Sequence, residues 1–395
     1  MSADALRSTL RVLAAPLADP DAAFDDPLAV RSLADAELGR ILSTAGIPRA
    51  WGAPGLRAGD RDFFLDTATE MAILAEEVSR ASVDAFMAMP GPSMSGALVN
   101  LMADDEQRAA YYGRLLGAPT WTFFALTEPE HGSDATALET RAVPEGEGWS
   151  LTGTKCFVGN AARAGIGVAF ARTGTGPFAI DAFLVDPEGA GFSASVMDTR
   201  CVRGAGYCVV GFRDHRVGAA GLLGHHLPRS RRGIRGALSV FHTLRPVVAA
   251  MSLGVGLAAL DELAGHRVGP ARAALSERTT ELRTRAEAVR MLVGDAAAAS
   301  DAGVGTLASA AKIAAYEFSR ASAKHAADVL GIGGLAEHPR ALRALDDSWG
   351  VQFMEGTVDM QLLHVFQGLN SSSPASAWRR TSTPSTVPAP AATAI

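Results

Sequence analysis

The chain has 395 residues, of which 48% are hydrophobic and 20% charged, an ordinary globular balance with length enough for two or three packed layers and a large core. A formal net charge of −6 argues against general nucleic-acid binding. No uninterrupted apolar run looks long enough to cross a bilayer, because charges and glycines interrupt the Ala-rich stretches. Cys156, Cys201 and Cys208 form an odd set without metal-ligand spacing. The opening Met1-Ser2-Ala3-Asp4-Ala5 lacks the basic and apolar regions of a signal peptide. Reduced thiols and a cytoplasmic location are therefore expected.

Residues 1–118 read as helical. Asp66 suits an N-cap for the run from Thr67 to Val83, whose apolar positions recur at helical spacing with Glu and Arg on the other face. Ile47 to Leu56, rich in Gly and Pro, reads as a loop between helices. Asn100 to Leu116 reads as one further helix, with Asp104, Asp105 and Glu106 suiting its start. At Trp121 the texture changes. From there to about Val217, short β-rich runs alternate with Gly turns and helical periodicity vanishes, which predicts a small antiparallel sheet domain over 119–232.

Helix returns near Ile234, with Pro246 placed as a first-turn proline before a small-residue run. Ala273 to Ala299 and Leu307 to Leu330 predict two more long helices, the second stopped by Gly331, Gly333 and Gly334. A last helix is predicted from Arg340 to Met354 and a short one after Gly356, which closes a helical domain over 233–370. The Ser/Thr/Pro/Ala composition of 371–395 cannot bury enough apolar surface and predicts a disordered tail. The fold class is α+β, mostly α.

Three segments carry the chemistry. The first, Phe124 to Asp134, leaves the apolar run Trp121 to Leu126, turns at Pro129 and Gly132, and delivers Thr127, Ser133 and Asp134 together. A strand end followed by a Gly-containing polar turn presents N–H groups and hydroxyls to one point, which suits a phosphate or a flavin edge. Taken alone, such a turn is more often only a strand exit. The second segment is Leu151 to Ala161, and the third is Phe353 to Gln361 with Glu355-Gly356-Thr357 at its centre. In that order and at those separations, the three together resemble the acyl-CoA dehydrogenase family.

The resemblance extends to about residue 370. It implies an N-terminal helical domain, a central antiparallel β-barrel-like domain, a C-terminal four-helix bundle and FAD as cofactor. It also implies a homodimer or homotetramer, and an electron-transfer flavoprotein or similar electron acceptor. The implied reaction is α,β-dehydrogenation of an acyl thioester: a base takes the α-proton and the β-hydrogen leaves as hydride to flavin N5. Glu355 matches the family's base, and its backbone N–H the donor to the thioester carbonyl. Leu126, Thr127, Gly132 and Ser133 match positions that bind the flavin ring and its pyrophosphate, with Ser133 and Gly356 also at the substrate. Phe157 matches an aromatic that covers one flavin face, or is a core aromatic. Gly159 and Thr357 fall at further flavin positions. Gly331 and Gly333 resemble a turn that meets a second subunit's FAD. Arg245 matches an Arg near the pantetheine or nucleotide arm, or starts a helix in an ion pair.

The sequence departs from the family at several points. Gly159 stands where many members have Thr or Ser, whose hydroxyl bonds flavin N5. The usual Arg-x-x-Phe-Gly is absent from Gly265 to Ala274, where Arg267 or Arg272 is left to substitute, and Glu281 falls near an expected Gln. Asp346 replaces an Arg, with Arg343 one turn back. Leu244 occupies the position that carries the base in a related branch, so Glu355 has no rival there. The cluster Arg229, Arg231, Arg232 and Arg235 suits an anionic carrier or a solvated loop. The expected activity is thus FAD-dependent dehydrogenation of an acyl thioester on CoA or on acyl carrier protein, the latter as in polyketide or other secondary metabolism. A flavin oxidase or oxygenase on the same scaffold, and a non-catalytic acyl- or carrier-binding subunit, are the alternatives.

Overall fold

The computed structural model describes residues 2–19, 26–176, 179–264 and 273–371. The predicted tail, and the segment bearing Arg267 and Arg272, lie outside the described residues, apart from Ser371 and Ala273-Ala274.

Helices α1 (Ser2–Ala14), α2 (Pro27–Asp35) and α3 (Glu37–Thr44) lead to a hairpin of β1 (Leu56–Ala58) and β2 (Arg61–Phe63). The loop before it contains one 3-10 turn, Arg49–Trp51. Then come α4 (Ala68–Ala88), α5 (Ser93–Met102) and α6 (Asp105–Gly117). One cap and one helix boundary differ from expectation. Thr67, not Asp66, caps α4 by accepting from the Glu70 N–H at 3.2 Å. Asp66 instead takes the Arg49 guanidinium at 2.8 Å. The helix expected over 100–116 is two helices, because Asp104 accepts from the Gln107 N–H at 2.8 Å while Gln107 Oε1 accepts from the Asp104 N–H, a closed capping box that starts α6 afresh.

Among the described residues seven strands form the central sheet: β3 (Trp121–Ala125), β4 (Arg141–Glu145), β5 (Gly148–Val158), β6 (Ala164–Arg172), β7 (Ile180–Val185), β8 (Phe192–Val196) and β9 (Cys208–Val217). Their order is β3-β6-β4-β5-β9-β8, with β7 paired to β6. The sheet is mixed rather than antiparallel. β3 runs parallel to β6 from Trp121↔Ala164 to Ala125↔Ala169, and β4 meets β6 in parallel at Arg141↔Arg172. The chain leaves β5 through a 3-10 turn at Ala161–Arg163 and returns beside β3, a crossover that strand periodicity cannot reveal. Phe123, Phe183, Val210 and Phe212 fill the sheet's core.

Helices α7 (Ile234–Asp261), α8 (Ala273–Asp301), α9 (Ala308–Glu337) and α10 (Pro339–Gly350) make the bundle, and α11 (Val358–Ser371) packs on α9. α4 lies along α7 so closely that a Cβ on Gly254 would sit 2.5 Å from the Glu76 carbonyl. One cluster from α4, α7, α8 and α9 forms the main core. Arg80 clamps Asp261 at 2.6 and 2.9 Å, and Arg7, Arg11 and Arg290 neutralise the buried Glu76 and Glu77, as buried carboxylates require.

Pro246 is not a first-turn proline: α7 begins at Ile234 and carries it in its interior, where it removes one ladder hydrogen bond. By length and composition alone, Arg229–Asp261 is apolar enough to cross a bilayer, contrary to the reading above, yet 89% of its most apolar window is buried inside the protein. α9 does not stop at Leu330. It runs on to Glu337 through a break at Gly331, whose φ of 69° only glycine adopts freely.

Candidate active site

The site is built where α10 hands over to α11. After Gly350 comes one 3-10 turn, Val351–Phe353. The chain then passes through left-handed backbone at Glu355 (φ 54°) and Gly356 (φ 96°). A side chain on Gly356 would also collide with Gln361 Nε2, 2.9 Å from its Cβ position. Glu355 has no such freedom, so its conformation is imposed from outside.

Four side chains impose it. Lys312 Nζ, wholly buried on α9, donates to the carbonyls of Gln352 (3.2 Å), Met354 and Gly356. Buried Arg245 on α7 donates from Nε to the Glu355 carbonyl at 3.4 Å. Gln361 Nε2 donates to that carbonyl at 3.2 Å and to Gly356 O at 3.1 Å. Ser309 fixes Gln361 by donating to its Oε1 at 2.9 Å. Thr357 opens α11, its hydroxyl accepting from the Met360 N–H at 3.4 Å.

The Glu355 carboxyl itself is left spare. Oε2 is shielded from solvent and has no hydrogen-bond partner. Burial pushes its pKa up to about 8, while the charges of Lys312 and Arg245 pull against that rise. Burial pushes Lys312 down, and the Glu355 charge opposes it. His242 Nδ1 lies 3.4 Å from Arg245 Nη1, and the His242 and His364 rings are 6.4 Å apart. Burial, then the Arg245 charge, depresses the pKa of both imidazoles. A carboxyl with one oxygen shielded from solvent and unpartnered, and a pKa raised to about 8, suits removal of a weakly acidic C–H proton.

A second cluster sits at the sheet. Leu126 is buried, Thr127 half-buried, and Gly132 and Ser133 stand exposed on the turn. A Cβ on Gly132 would meet nothing within 4 Å. The turn is tied to β5, because Cys156 N–H donates to Thr127 O at 2.9 Å. Lys155 Nζ donates to Leu126 O at 3.0 Å and to Glu128 Oε1 at 2.8 Å. Between Lys155 and Val158 the pairing with β9 gains an extra residue, a bulge that contains Phe157 at φ 54°. The residue is 59% exposed, with the Tyr207 ring edge-on at 6.5 Å. Phe157 is therefore not a core aromatic. Gly159 has ordinary backbone and only Ala205 O, at 3.5 Å, near its Cβ position.

The two clusters are connected through Phe124 on β3 and Phe241 on α7, 6.2 Å apart, with Arg245 one turn beyond Phe241. The fold thus gathers Glu355, Gly356, Thr357 and Arg245 at one end of this connection, and Leu126, Thr127, Gly132, Ser133, Phe157 and Gly159 at the other. Gly331 and Gly333 are exposed on α9, roughly 28 Å along the helix from Lys312 at 1.5 Å per residue. Asp346 pairs with Arg200 at 3.0 Å, and Asp347 accepts from the Val202 N–H at 2.7 Å. Glu281 pairs with Arg278 at 2.6 Å. Sequence reasoning missed Lys312, Gln361, His242, His364 and the Lys155–Glu128 pair. A signal existed for Lys312, which shares the small-residue face of Ala308, Ala311 and Ala315.

Residues 123–215 match the profile described as acyl-CoA dehydrogenase, middle domain, and residues 231–369 the one described as acyl-CoA dehydrogenase, C-terminal domain. An acyl-CoA dehydrogenase of Bacillus subtilis is 32% identical over 273 residues, which is 66% of this chain and 71% of that protein. The glutaryl-coenzyme A dehydrogenase glutaryl-CoA complex superposes with a TM-score of 0.81 at 23% identity, covering 95% of this chain and 96% of that one. PigA with FAD and proline gives 0.79 at 17% identity, covering 94% and 98%. At these identities the structural likeness is one of fold.

Proposed function

Since the chain belongs to the acyl-CoA dehydrogenase family of FAD-dependent oxidoreductases, we propose that Glu355 is the base with which it removes the α-proton of an acyl thioester. The observation that carries this is the shielded, unpartnered Oε2 of Glu355 on a strained backbone whose carbonyls are held by Lys312 and Arg245.

The residues present fit FAD. Phe157 is turned out of the sheet by its bulge, beside a polar turn with open space over Gly132. In this reading Leu126, Thr127, Gly132 and Ser133 hold the ring and pyrophosphate, Phe157 covers a ring face, and Gly159 and Thr357 complete the site. When bound, FAD supplies the two-electron acceptor for the β-hydrogen. Everything else is the work of this chain. Glu355 takes the α-proton onto Oε2. Burial excludes the water that would protonate or solvate that oxygen. Arg245 and Lys312 stabilise the carboxylate before the proton arrives, and Arg245 stands near the thioester's arm.

A finer reading places the acyl group on acyl carrier protein, in polyketide or other secondary metabolism. Arg229 and Arg231 support it, exposed just ahead of α7. Arg232 does not, because it is nearly buried against Asp181 at 2.8 Å. Exposed Ile332, Trp349, Phe353, Leu362 and Phe366 support a homodimer or homotetramer in which Gly331 and Gly333 meet the FAD of another copy. Reduced FAD would pass its electrons to an electron-transfer flavoprotein or similar acceptor. Three free thiols suit a cytoplasmic setting.

The test is Glu355→Gln, which keeps the shape and cannot accept the proton. FAD should be retained, and anaerobic bleaching of the flavin by an acyl thioester should slow by at least ~100-fold. Near-normal bleaching would falsify the assignment.

A further inference from the structure

We propose that Lys312 is the positioning residue of this site: its ammonium gathers the carbonyls of Gln352, Met354 and Gly356, holds Glu355 in left-handed backbone, and supplies the charge that keeps its carboxylate ready to accept a proton. The inference rests on Glu355 being the base.

The geometry has three parts. The first is that the Lys312 side chain is 0% exposed and its Nζ reaches three backbone carbonyls spread over five residues, 40 to 44 positions away in the chain. An ammonium has three donors, and three carbonyls use them all, so the site is built for the charged form. A neutral amine has only two N–H bonds and would leave one carbonyl without its donor.

Second, these carbonyls flank the two consecutive residues with positive φ. Pulling the carbonyls of residues 352, 354 and 356 toward one point curls the backbone around Nζ. Residue 355, between them, is the one forced left-handed. Gln361 and Arg245 hold the Glu355 carbonyl on their side, so the segment is gripped from α7, α9 and α11 together. A strained conformation persists only when its surroundings over-determine it.

Third, the charges that act on the carboxyl are those of Lys312 from α9 and Arg245 from α7; His242, one turn before Arg245, stands 3.4 Å from its guanidinium, and His364 from α11 lies beyond, ring to ring with His242 at 6.4 Å. The positive charges of Lys312 and Arg245 both oppose the rise that burial imposes on the Glu355 pKa. Both histidines are disposed to be neutral by burial. Lys312 has no carboxylate hydrogen bond and gives its donors to backbone oxygens alone, an acceptor set that favours the ammonium against the burial that lowers its pKa to about 7, so its charge is available to offset desolvation of the carboxylate alongside that of Arg245. It acts through the electrostatic field and the backbone without touching substrate.

The experiment measures anaerobic flavin reduction by one acyl thioester against pH, using FAD-loaded wild type, Lys312→Met, Lys312→Gln and Lys312→Arg. Removing a cation makes the carboxyl harder to ionise. The pH at which reduction is half-maximal should therefore rise by about one unit or more in Lys312→Met and Lys312→Gln, with much of the lost rate recovered at high pH. Lys312→Arg should hold the midpoint near that of wild type. If Lys312→Met does not fold, the Gln and Arg variants decide, since both keep donors and differ in charge. A uniform loss of rate with an unmoved midpoint in the neutral variants would reduce Lys312 to a structural lysine and overturn the proposal. Should Glu355→Gln reduce its flavin at the wild-type rate, the reading beneath fails instead, and the two failures are separable.

Discussion

Lys155 Nζ and Glu128 Oε1 lie 2.8 Å apart, with side chains 0% and 6% exposed, and this pair fastens the 126–134 turn to β5. Glu128 also accepts from the Glu139 and Thr140 N–H groups at 2.6 and 2.8 Å. Burial works against the Glu128 charge, but Lys155 and these donors outweigh it and hold the carboxyl below its ordinary range. Lys155→Met leaves a buried carboxylate without its cation, at a cost of roughly 3–5 kcal/mol, so denaturant unfolding should show a large loss of stability and FAD should dissociate more readily. Glu128 has a depressed folded pKa, so its contribution is present above the unfolded value of about 4.3 and lost as pH falls through the folded one. Acid should loosen FAD in wild type over that window, and a Lys155→Met protein as stable as wild type would remove the fastening role.

Glu355 gives the opposite sign. Its folded pKa is raised, so its contribution is fully present below the unfolded value of about 4.3 and is lost as pH rises through the folded value of about 8. Glu355→Gln escapes that loss. The melting temperature of the variant should exceed that of wild type at pH 8, with the difference shrinking toward pH 4.5. A difference constant across this range would mean that the carboxyl is not raised. The expected stabilisation is the counterpart of the lost activity.

Gly159→Thr should be accommodated, because the backbone there is ordinary and the nearest atom to a new Cβ is Ala205 O at 3.5 Å. The variant should keep its FAD and melting temperature, and the added hydroxyl should change the rate of flavin reduction with little change in substrate affinity. Loss of FAD on substitution would show that the position needs glycine for space.

The basic segment before α7 should divide by burial. Arg232→Ala strands the Asp181 carboxylate, which is 1% exposed, and should cost roughly 3–5 kcal/mol in a stability measurement. Arg229→Ala with Arg231→Ala should leave stability unchanged, since both are exposed. If carrier protein presents the substrate, the double variant should lower turnover on the carrier-bound acyl group, most at low ionic strength, and spare the CoA thioester. Equal loss on both substrates would instead indicate a contact with CoA-type phosphate.

The sequence by itself determined the order helix, sheet, bundle, and it singled out Glu355, Arg245 and the 126–134 turn. Helical and strand periodicity, turn glycines and short motifs are local, and a few neighbouring residues carry them. Cap identity was legible only to within a residue, as Asp66 and Thr67 show, because neighbouring polar side chains compete for the same N–H groups. Only the tertiary structure decided the parallel pairing of β3 with β6, the outward turn of Phe157 at its bulge, and the convergence of Lys312, Gln361 and Arg245 on the Glu355 segment. Each of these depends on partners far apart in the chain. Arg245 is 110 residues from Glu355, and Lys312 is 40 to 44 from the carbonyls it gathers. A lysine in an Ala-rich helix has the same local pattern whether it faces water or three carbonyls. What separates the two is the free energy of desolvating its charge, which exists only once the surrounding helices have closed over it.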